Sequence, residues 1–373
     1  MSENVRTTPL RVALLGSKQT LAEYSAFLGH LLVGLADQSV STALVCPACE
    51  NLNSIILGSA EIITHPAFEV PLFYGLNKKL LIEKLLKFGP NILHCLCESL
   101  LPLTKYLAEQ LNVPYVITLN SLNVRRVGLS PSFFKGIGGL KPILQNCASI
   151  IVTAKTIENS LAQAHPYLSQ KIKHINIGSF TEDTICCFSD SSRPATAIIA
   201  YPFKKSDEFE NLFGSIRHLV VNGYELMVVI IGGGKAETTL WKLLAALDLL
   251  RIVTIIPRRI PRRPVLRAGD IFIHPQPVDA FDPMLLEAMS VGSAVAACSG
   301  GVDDLIIDNE TAVVFNPADE LSITAALQKL LDGRDFAHKI ARNAQNYVKK
   351  NHSVSRMISD ILKVYNQIAN SSA

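Results

Sequence analysis

Two carboxylates, Asp279 and Glu287, stand eight residues apart around the dipeptide Asp282-Pro283, and the segment that carries them runs on to a glycine pair, Gly300-Gly301. Ionised carboxylates accept hydrogen bonds from hydroxyls, and basic side chains and the N–H groups of a helix start bind phosphates. Asp282 followed by Pro283 reads as an N-cap and first-turn pair, so a helix begins here with or without a ligand. Glu287 on that helix is open to a second reading as a buried structural acid. Gly232-Gly-Gly-Lys235 follows a strand-like run and lacks the trailing Ser/Thr of a nucleotide-binding P-loop. Its glycines permit close approach to the backbone. The basic knot Pro257-Arg258-Arg259-Ile260-Pro261-Arg262-Arg263-Pro264 reads as a rigid surface loop or as a phosphate contact. Asn123-Val-Arg125-Arg126 reads as a solvated loop or as a contact for an anionic acceptor. Cys46-Pro-Ala-Cys49, with His94, Cys95 and Cys97, has no second CxxC and follows apolar runs where buried thiols are common, so no metal site is expected.

These groups need a scaffold that brings loops together. Short apolar runs are expected as strands at Arg11–Gly16, Thr42–Cys46, Glu61–Thr64, Asn91–Cys95, Tyr115–Leu119, Ser149–Thr153 and His174–Ile177. A second set follows at Ala197–Ala200, Leu226–Ile231, Ile252–Ile256, Asp270–His274, Ala294–Cys298 and Thr311–Phe315. Helical stretches alternate with them, the first from Leu21 to Leu35. The alternation predicts an α/β chain of two Rossmann-like, doubly wound parallel-sheet domains facing a cleft. The predicted division is residues 1–180, a polar linker at 181–194, a second domain at 195–352 and a terminal helix at 353–373. In open sheets of this kind ligands bind beyond the carboxyl ends of the strands, so loops after those strands should carry the chemistry.

Composition narrows the partners. The chain has 373 residues, 49% apolar and 18% charged, enough for two cores. Lys and Arg outnumber Asp and Glu by 15 to 10 in residues 1–180, leaving 20 against 22 of the chain's totals of 35 and 32. That mild basic excess suits an acidic small molecule or an anionic membrane surface and falls short of a nucleic-acid stripe. Leu81, Ile82, Leu85, Leu86 and Phe88 share one helical face against Lys79, Glu83, Lys84 and Lys87. This face is read as a helix packed on the sheet with a solvated outer side, with a membrane-surface role as the alternative. With no apolar run of about 18 residues and a polar start at Met1–Arg6, a cytoplasmic setting is expected, peripheral to the membrane at most.

The run Asp270-Ile-Phe-Ile-His-Pro275, the acidic pair Asp279 and Glu287, Gly300-Gly301-Val-Asp-Asp304 and Asp308-Asn-Glu-Thr-Ala-Val-Val-Phe-Asn-Pro317 together resemble the donor-binding segment of family 4 glycosyltransferases. The likeness extends over most of residues 10–370 and includes the terminal segment Asn351–Tyr365. It is a degenerate version of the family pattern. Asp279 stands for the first Glu of a Glu-x7-Glu pair, Asp282 for a Gly, Tyr201 for an Arg, Asn120 for a His, and Asn309 and Ala312 for two glycines. Arg forks phosphate in a bidentate way that Lys does not, and Asn carries no proton, so each exchange weakens a contact.

The resemblance implies the GT-B fold and a retaining glycosyltransferase of hexosyltransferase type. It would move a sugar from a nucleotide-diphosphate donor to a sugar, lipid-linked or small-molecule acceptor held by the first domain. No cofactor and no metal are implied. The residues it nominates for catalysis are Asp279, Asn120 and Lys205. For donor binding it nominates Glu287, Phe281, Asp282, Met284, Leu285, Gly232, Gly233, Lys204, Tyr201, Gly16 and Ser17. Two other readings stand beside it: a non-catalytic relative that binds a nucleotide or a partner, and a nucleotide-sugar epimerase, which would need ionisable groups that Asn120 does not supply.

Overall fold

The computed structural model describes residues 9–48, 60–65, 74–122, 140–200, 209–232, 237–257 and 261–372. They divide into two compact units, one formed by residues 1–178 with 354–373 and the other by residues 179–353.

In the first unit the chain runs β1 (Arg11–Leu15), α1 (Lys18–Glu23), α2 (Ser25–Asp37), β2 (Ser41–Pro47), β3 (Glu61–His65), α3 (Tyr74–Phe88), β4 (Ile92–Cys95), α4 (Leu101–Leu111), β5 (Tyr115–Leu119), α5 (Leu140–Asn146), β6 (Ser149–Val152), α6 (Lys155–Ala164) and β7 (Ile172–His174). The strands form one sheet in the order β3-β2-β1-β4-β5-β6-β7, parallel throughout. Every residue of β4, β5 and β6 is buried, as sheets covered on both faces require. The single helix expected over Leu21–Leu35 is two helices: a short one that starts at a capping box formed by Ser17 and Thr20, and a second after Tyr24, whose backbone (φ −110°, ψ 28°) leaves the helical region. On α3, Leu81, Leu85 and Phe88 are buried and Ile82 partly so, while Lys79, Glu83, Lys84 and Lys87 face solvent; Leu86, expected on the packed face, is 61% exposed, so the buried stripe is narrower than the sequence suggests.

The C-terminal helix Val354–Ser372 belongs to this unit. Gly34 on α2 lets it approach: a Cβ there would meet Ile358 Cγ1 at 2.5 Å. Below that contact, Tyr365 is fully buried and its hydroxyl lies 2.6 Å from Nδ1 of His94, whose Nε2 is 2.7 Å from Thr118 Oγ1. Burial pushes the His94 pKa down to about 3, so the ring is neutral and one of its nitrogens donates while the other accepts. One hydrogen-bonded chain thus links the terminal helix to β4 and β5.

The second unit runs β8 (Ala195–Ala200), α7 (Glu210–Val221), β9 (Leu226–Ile231), α8 (Glu237–Ala246), β10 (Val253–Ile256), α9 (Arg262–Arg267), β11 (Ile271–His274), α10 (Pro283–Val291), β12 (Ala294–Ala297), β13 (Val313–Val314), α11 (Glu320–Asp332) and α12 (Arg334–Asn351). Its sheet has the order β10-β9-β8-β11-β12-β13, again parallel. Residues 181–194, expected as a linker, are instead built into this unit. The N–H groups of Glu182, Cys186 and Cys187 donate to the carbonyls of Ser290, Val291 and Gly292. Asp270, almost wholly buried, accepts from the N–H groups of Phe188 and Thr196 and takes Arg193 in a two-pronged pair at 2.8 and 2.9 Å. Among the described residues no helix is long and apolar enough to cross a membrane.

Tyr365→Phe removes the hydroxyl from the buried chain and leaves a His94 nitrogen without a partner, which costs roughly 1–3 kcal/mol. Urea denaturation of the variant should show a lower midpoint with an unchanged slope; an unchanged midpoint would mean the hydroxyl contributes nothing.

Candidate functional site

Each sheet reverses its winding once, and at that point the loops leaving two neighbouring strands diverge and open a crevice. In the second unit the reversal falls between β8 and β11, so the loops after Ala200 and His274 flank it. The loop after β8 contains Tyr201, Lys204 and Lys205, which lie outside the described residues, as do Gly233, Lys235, Asn123, Arg125, Arg126, Arg258, Arg259, Ile260 and Cys49. Among the described residues no three His, Cys, Asp or Glu side chains are placed to hold a metal ion.

The loop after β11 is described in full. Gly300 and Gly301 have φ of +110° and +70°, and a Cβ on Gly301 would run into the Val278 carbonyl oxygen. Only glycine fits there, and the close pass lets Val302 N–H donate to Val278 O at 2.8 Å. The glycine pair therefore holds residue 278 in place, and the neighbouring Asp279 is exposed.

Asp282 is the N-cap of α10, as its pairing with Pro283 predicts. Its Oδ1 accepts from Met284 N–H at 2.8 Å and Leu285 N–H at 3.4 Å. Its Oδ2 lies 3.1 Å from Nδ1 of the buried His274, although that nitrogen finds no hydrogen-bond partner in good geometry among the described residues. The helix start is thus occupied by the chain's own carboxylate. Three residues nominated for the donor serve the helix and its packing. The Phe281 ring is buried with its centroid 6.1 Å from that of His352, and Met284 and Leu285 bury their side chains and give their N–H groups to Asp282. An apolar helix face has core to fill, and that demand takes precedence over ligand contact.

Glu287 is 8% exposed. Burial raises its pKa above the ordinary carboxylate value; Arg262 and Arg263 oppose the rise, and Asp282 adds to it. Arg263 is itself anchored, with Nε 3.0 Å from Glu182 Oε1 and a second nitrogen 2.7 Å from Phe180 O. Two arginines of the basic knot therefore oppose, without cancelling, the effect of burial on this acid. The sequence displays both arginines but gives no sign that they face Glu287. Gly232, with φ +138°, donates its N–H to Ile256 O and is buried at the end of β9.

In the first unit the reversal lies between β1 and β4. Gly16 gives its N–H to Val45 O, continuing the β1–β2 ladder, and Ser17 uses its hydroxyl to accept from Thr20 N–H at 3.1 Å as the N-cap of α1. Asn120, at the end of β5, is 5% exposed. Its backbone N–H donates to Glu98 Oε1 at 3.1 Å, its side-chain N–H donates to Leu96 O at 3.3 Å, and its Oδ1 has no hydrogen-bond partner among the described residues. Glu98 was not nominated, although it is the only Asp, Glu, Lys or Arg between Lys87 and Lys105. A lone acid in an apolar stretch is the signal that points to it. Burial raises its pKa, opposed by hydrogen bonds from its own N–H and those of Asn120 and Ser121. Beside it, the Cys97 thiol is drawn down to about 5, chiefly by its hydrogen bond with Cys95, with Ser99, Thr20 and Ser17 adding and burial opposing.

Comparison with known proteins bears on the second unit first. The family described as "Glycosyl transferases group 1" matches residues 194–347. A D-inositol 3-phosphate glycosyltransferase of Salinispora tropica is 30% identical over 151 residues, 38% of this chain and 31% of that protein. An alpha-D-kanosaminyltransferase of Streptomyces kanamyceticus is 27% identical over 155 residues, 40% of each chain. The chain thus spans a third to two fifths of these two relatives. The uncharacterized glycosyltransferase YqgM of Bacillus subtilis is 22% identical over 289 residues, 76% of this chain and 79% of that one. Among solved structures, a glycosyltransferase from Rickettsia africae matches with a TM-score of 0.74 at 16% identity, covering 97% of this chain and 99% of its own. Anabaena Alr3699/HepE, solved with UDP and glucose, gives 0.74 at 14% identity over 96% and 100%. The chain shares the fold of these glycosyltransferases, with a parallel-sheet α/β domain in each unit.

Two outcomes follow for the second unit. Because the folded pKa of Glu287 lies above its unfolded value, the native state holds an extra proton between the two. Stability relative to Glu287→Gln should therefore fall as pH rises from about 4.5 through the raised value, by up to about 1.4 kcal/mol per pH unit. Paired urea titrations across pH 4 to 8 would read this, and parallel curves would refute it. Asp282→Ala removes a cap carboxylate and should cost about 1 kcal/mol in the same assay at neutral pH, whereas Asp282→Asn, which keeps the cap oxygen, should cost less.

Proposed function

We propose that the chain is a retaining glycosyltransferase of the GT-B class, of family 4 type, that moves a sugar from a nucleotide diphosphate to an acceptor hydroxyl. The observation that carries this reading is Glu287, a buried carboxylate with a raised pKa and two arginines in its field, on the helix that follows the winding reversal of the second unit. The match of residues 194–347 to the glycosyl transferase group 1 model supports it. A carboxylate in that setting accepts hydrogen bonds from a vicinal diol, and a ribose presents one.

In this reading Glu287 grips the ribose, Asp279 meets the transferred sugar, Lys205 takes the diphosphate and Asn120 hydrogen-bonds the edge of the reacting sugar. The acceptor oxygen bonds to the anomeric carbon on the face the leaving diphosphate vacates, the old carbon–oxygen bond breaks, and the acceptor proton passes to a diphosphate oxygen. Atoms balance without a metal or cofactor, so catalysis is positioning plus stabilisation of the departing charge. The setting that fits this chemistry is cytoplasmic, with peripheral membrane contact where the acceptor is lipid-linked.

A second reading, a binding protein without turnover, draws on Asp282. Its carboxylate already fills the helix start where a diphosphate oxygen would otherwise sit, and a negative charge there opposes the leaving group. Calorimetry against a panel of nucleotides and nucleotide sugars, combined with donor hydrolysis, separates the two. Binding with turnover supports transfer, binding without turnover supports the second reading, and no binding at all defeats both. Glu287→Gln should weaken nucleotide affinity by ten- to a hundredfold, the scale of lost hydrogen bonds to a charged group.

A further inference from the structure

Two sulfurs stand together at the end of β4, and the transfer chemistry uses neither. Cys95 closes the strand, and Cys97 follows in extended backbone with φ −155° and ψ 149°. Side chains two residues apart in an extended chain share one face, so both thiols project the same way. Cys95 Sγ lies 3.1 Å from the Cys97 carbonyl oxygen and within hydrogen-bonding reach of the Cys97 sulfur. At about 3.3 Å of rise per residue their Cα atoms are about 6.6 Å apart, inside the roughly 4.4–6.8 Å that a disulfide spans. Cys95 is wholly buried, whereas Cys97 keeps 9% of its surface exposed.

Hydroxyls surround Cys97. Ser99 Oγ is 3.4 Å from its Sγ, and Ser17 and Thr20 reach it from the turn after β1. The Ser17 and Thr20 oxygens each accept the other residue's backbone N–H, which leaves their hydroxyl protons to donate to the sulfur and to one another. Donors around a sulfur stabilise its thiolate, the nucleophilic form. Elsewhere burial dominates: it pushes Cys147, Cys187 and Cys298 up to about 12 and raises Cys95 as well. The pair is therefore unequal, with Cys97 suited to react first and Cys95 second.

We propose that Cys97 and Cys95 form a two-thiol oxidation site for hydrogen peroxide, closing reversibly to a Cys95–Cys97 disulfide. Cys97 Sγ attacks one peroxide oxygen and the O–O bond breaks, so that sulfur is oxidised to a sulfenic acid and peroxide is reduced to hydroxide. Cys95 Sγ then attacks Cys97 Sγ, the S–O bond breaks, and the departing hydroxide takes the Cys95 thiol proton as water. A ring closed over one intervening residue at the limit of reach is strained, and strained disulfides are readily reduced by thiols. The inference goes beyond the transferase reading and does not depend on it.

Trypsin releases these two cysteines, and no others, in the peptide Phe88–Lys105. After the full chain is treated with hydrogen peroxide and then iodoacetamide, that peptide should have lost two hydrogens, resist alkylation, and regain both thiols with dithiothreitol. The peroxide dose required should be about tenfold below that oxidising the peptides of Cys147 and Cys298. In Cys95→Ser the reaction should stop at the sulfenic acid, which dimedone traps on Cys97 severalfold more than in wild type. The rate of Cys97 oxidation should be half-maximal near pH 5 and level at neutral pH, following the thiolate.

A Phe88–Lys105 peptide that stays alkylatable at doses oxidising Cys147 and Cys298 would overturn the inference. So would a dimedone adduct as abundant in wild type as in Cys95→Ser, or a rate that climbs through the alkaline range of an ordinary thiol. Should Cys95→Ser fail to fold, the mass and reversibility of the wild-type peptide decide alone.

Discussion

A helix that is buried on every side cannot hold a carboxylate without help, and that constraint organises the second unit. Residues 284–291 of α10 are all buried, and Glu287 keeps only 8% of its surface exposed. An isolated ionised acid in such a place costs several kcal/mol and would ordinarily take up a proton. Arg262 and Arg263 oppose that outcome from the neighbouring α9. Arg263 is held by Glu182 and the Phe180 carbonyl, both from the stretch that leads into the unit. That stretch is in turn pinned by the Asp270 carboxylate through Phe188 and Arg193. The field around Glu287 is thus the last member of a chain of polar contacts that starts at the far end of β11.

The helix start shows a second consequence. Orphan N–H groups at an N-terminus must find an acceptor, and here Asp282 supplies it from one residue away. An anion-binding protein would leave those groups to the ligand. Asp282 instead divides its two oxygens between the helix and the neighbourhood of His274, which is buried and has no better partner for Nδ1. Helix stability and ligand affinity therefore draw on the same two N–H groups.

What could be read in the sequence follows the range of each interaction. The Asp282-Pro283 cap was legible because capping is settled within three residues, and the parallel sheets were legible because each strand carries its own apolar run. The edges were not. β7 was expected at His174–Ile177 and forms at Ile172–His174, where Ile150 pairs with Ile172 and two of three residues are exposed. Ile175 and Ile177, which prompted the expectation, are buried beyond the strand's end. Residues 181–194 looked like a linker because their partners are backbone groups and the distant Asp270, and polar composition does not distinguish a solvated linker from a strap bound by its own amides. Glu287 could be nominated from its motif, but its arginines and its burial are tertiary facts. Glu98 and the orphaned oxygen of Asn120 emerge only when β4 and β5 lie side by side.

The first unit makes the same trade in another form. His94 is at the centre of the sheet, kept neutral by burial and bracketed by Thr118 and Tyr365, so the end of β4 and the terminal helix are held by hydrogen bonds that need no charge. Three residues further on the balance changes: the Cys97 thiol is drawn down to about 5, chiefly by its hydrogen bond with Cys95, and burial raises Glu98 against the pull of three backbone N–H groups. A neutral, fully bonded strand followed by a polar, partly unsatisfied loop is the order expected where a rigid element presents a site at its carboxyl end.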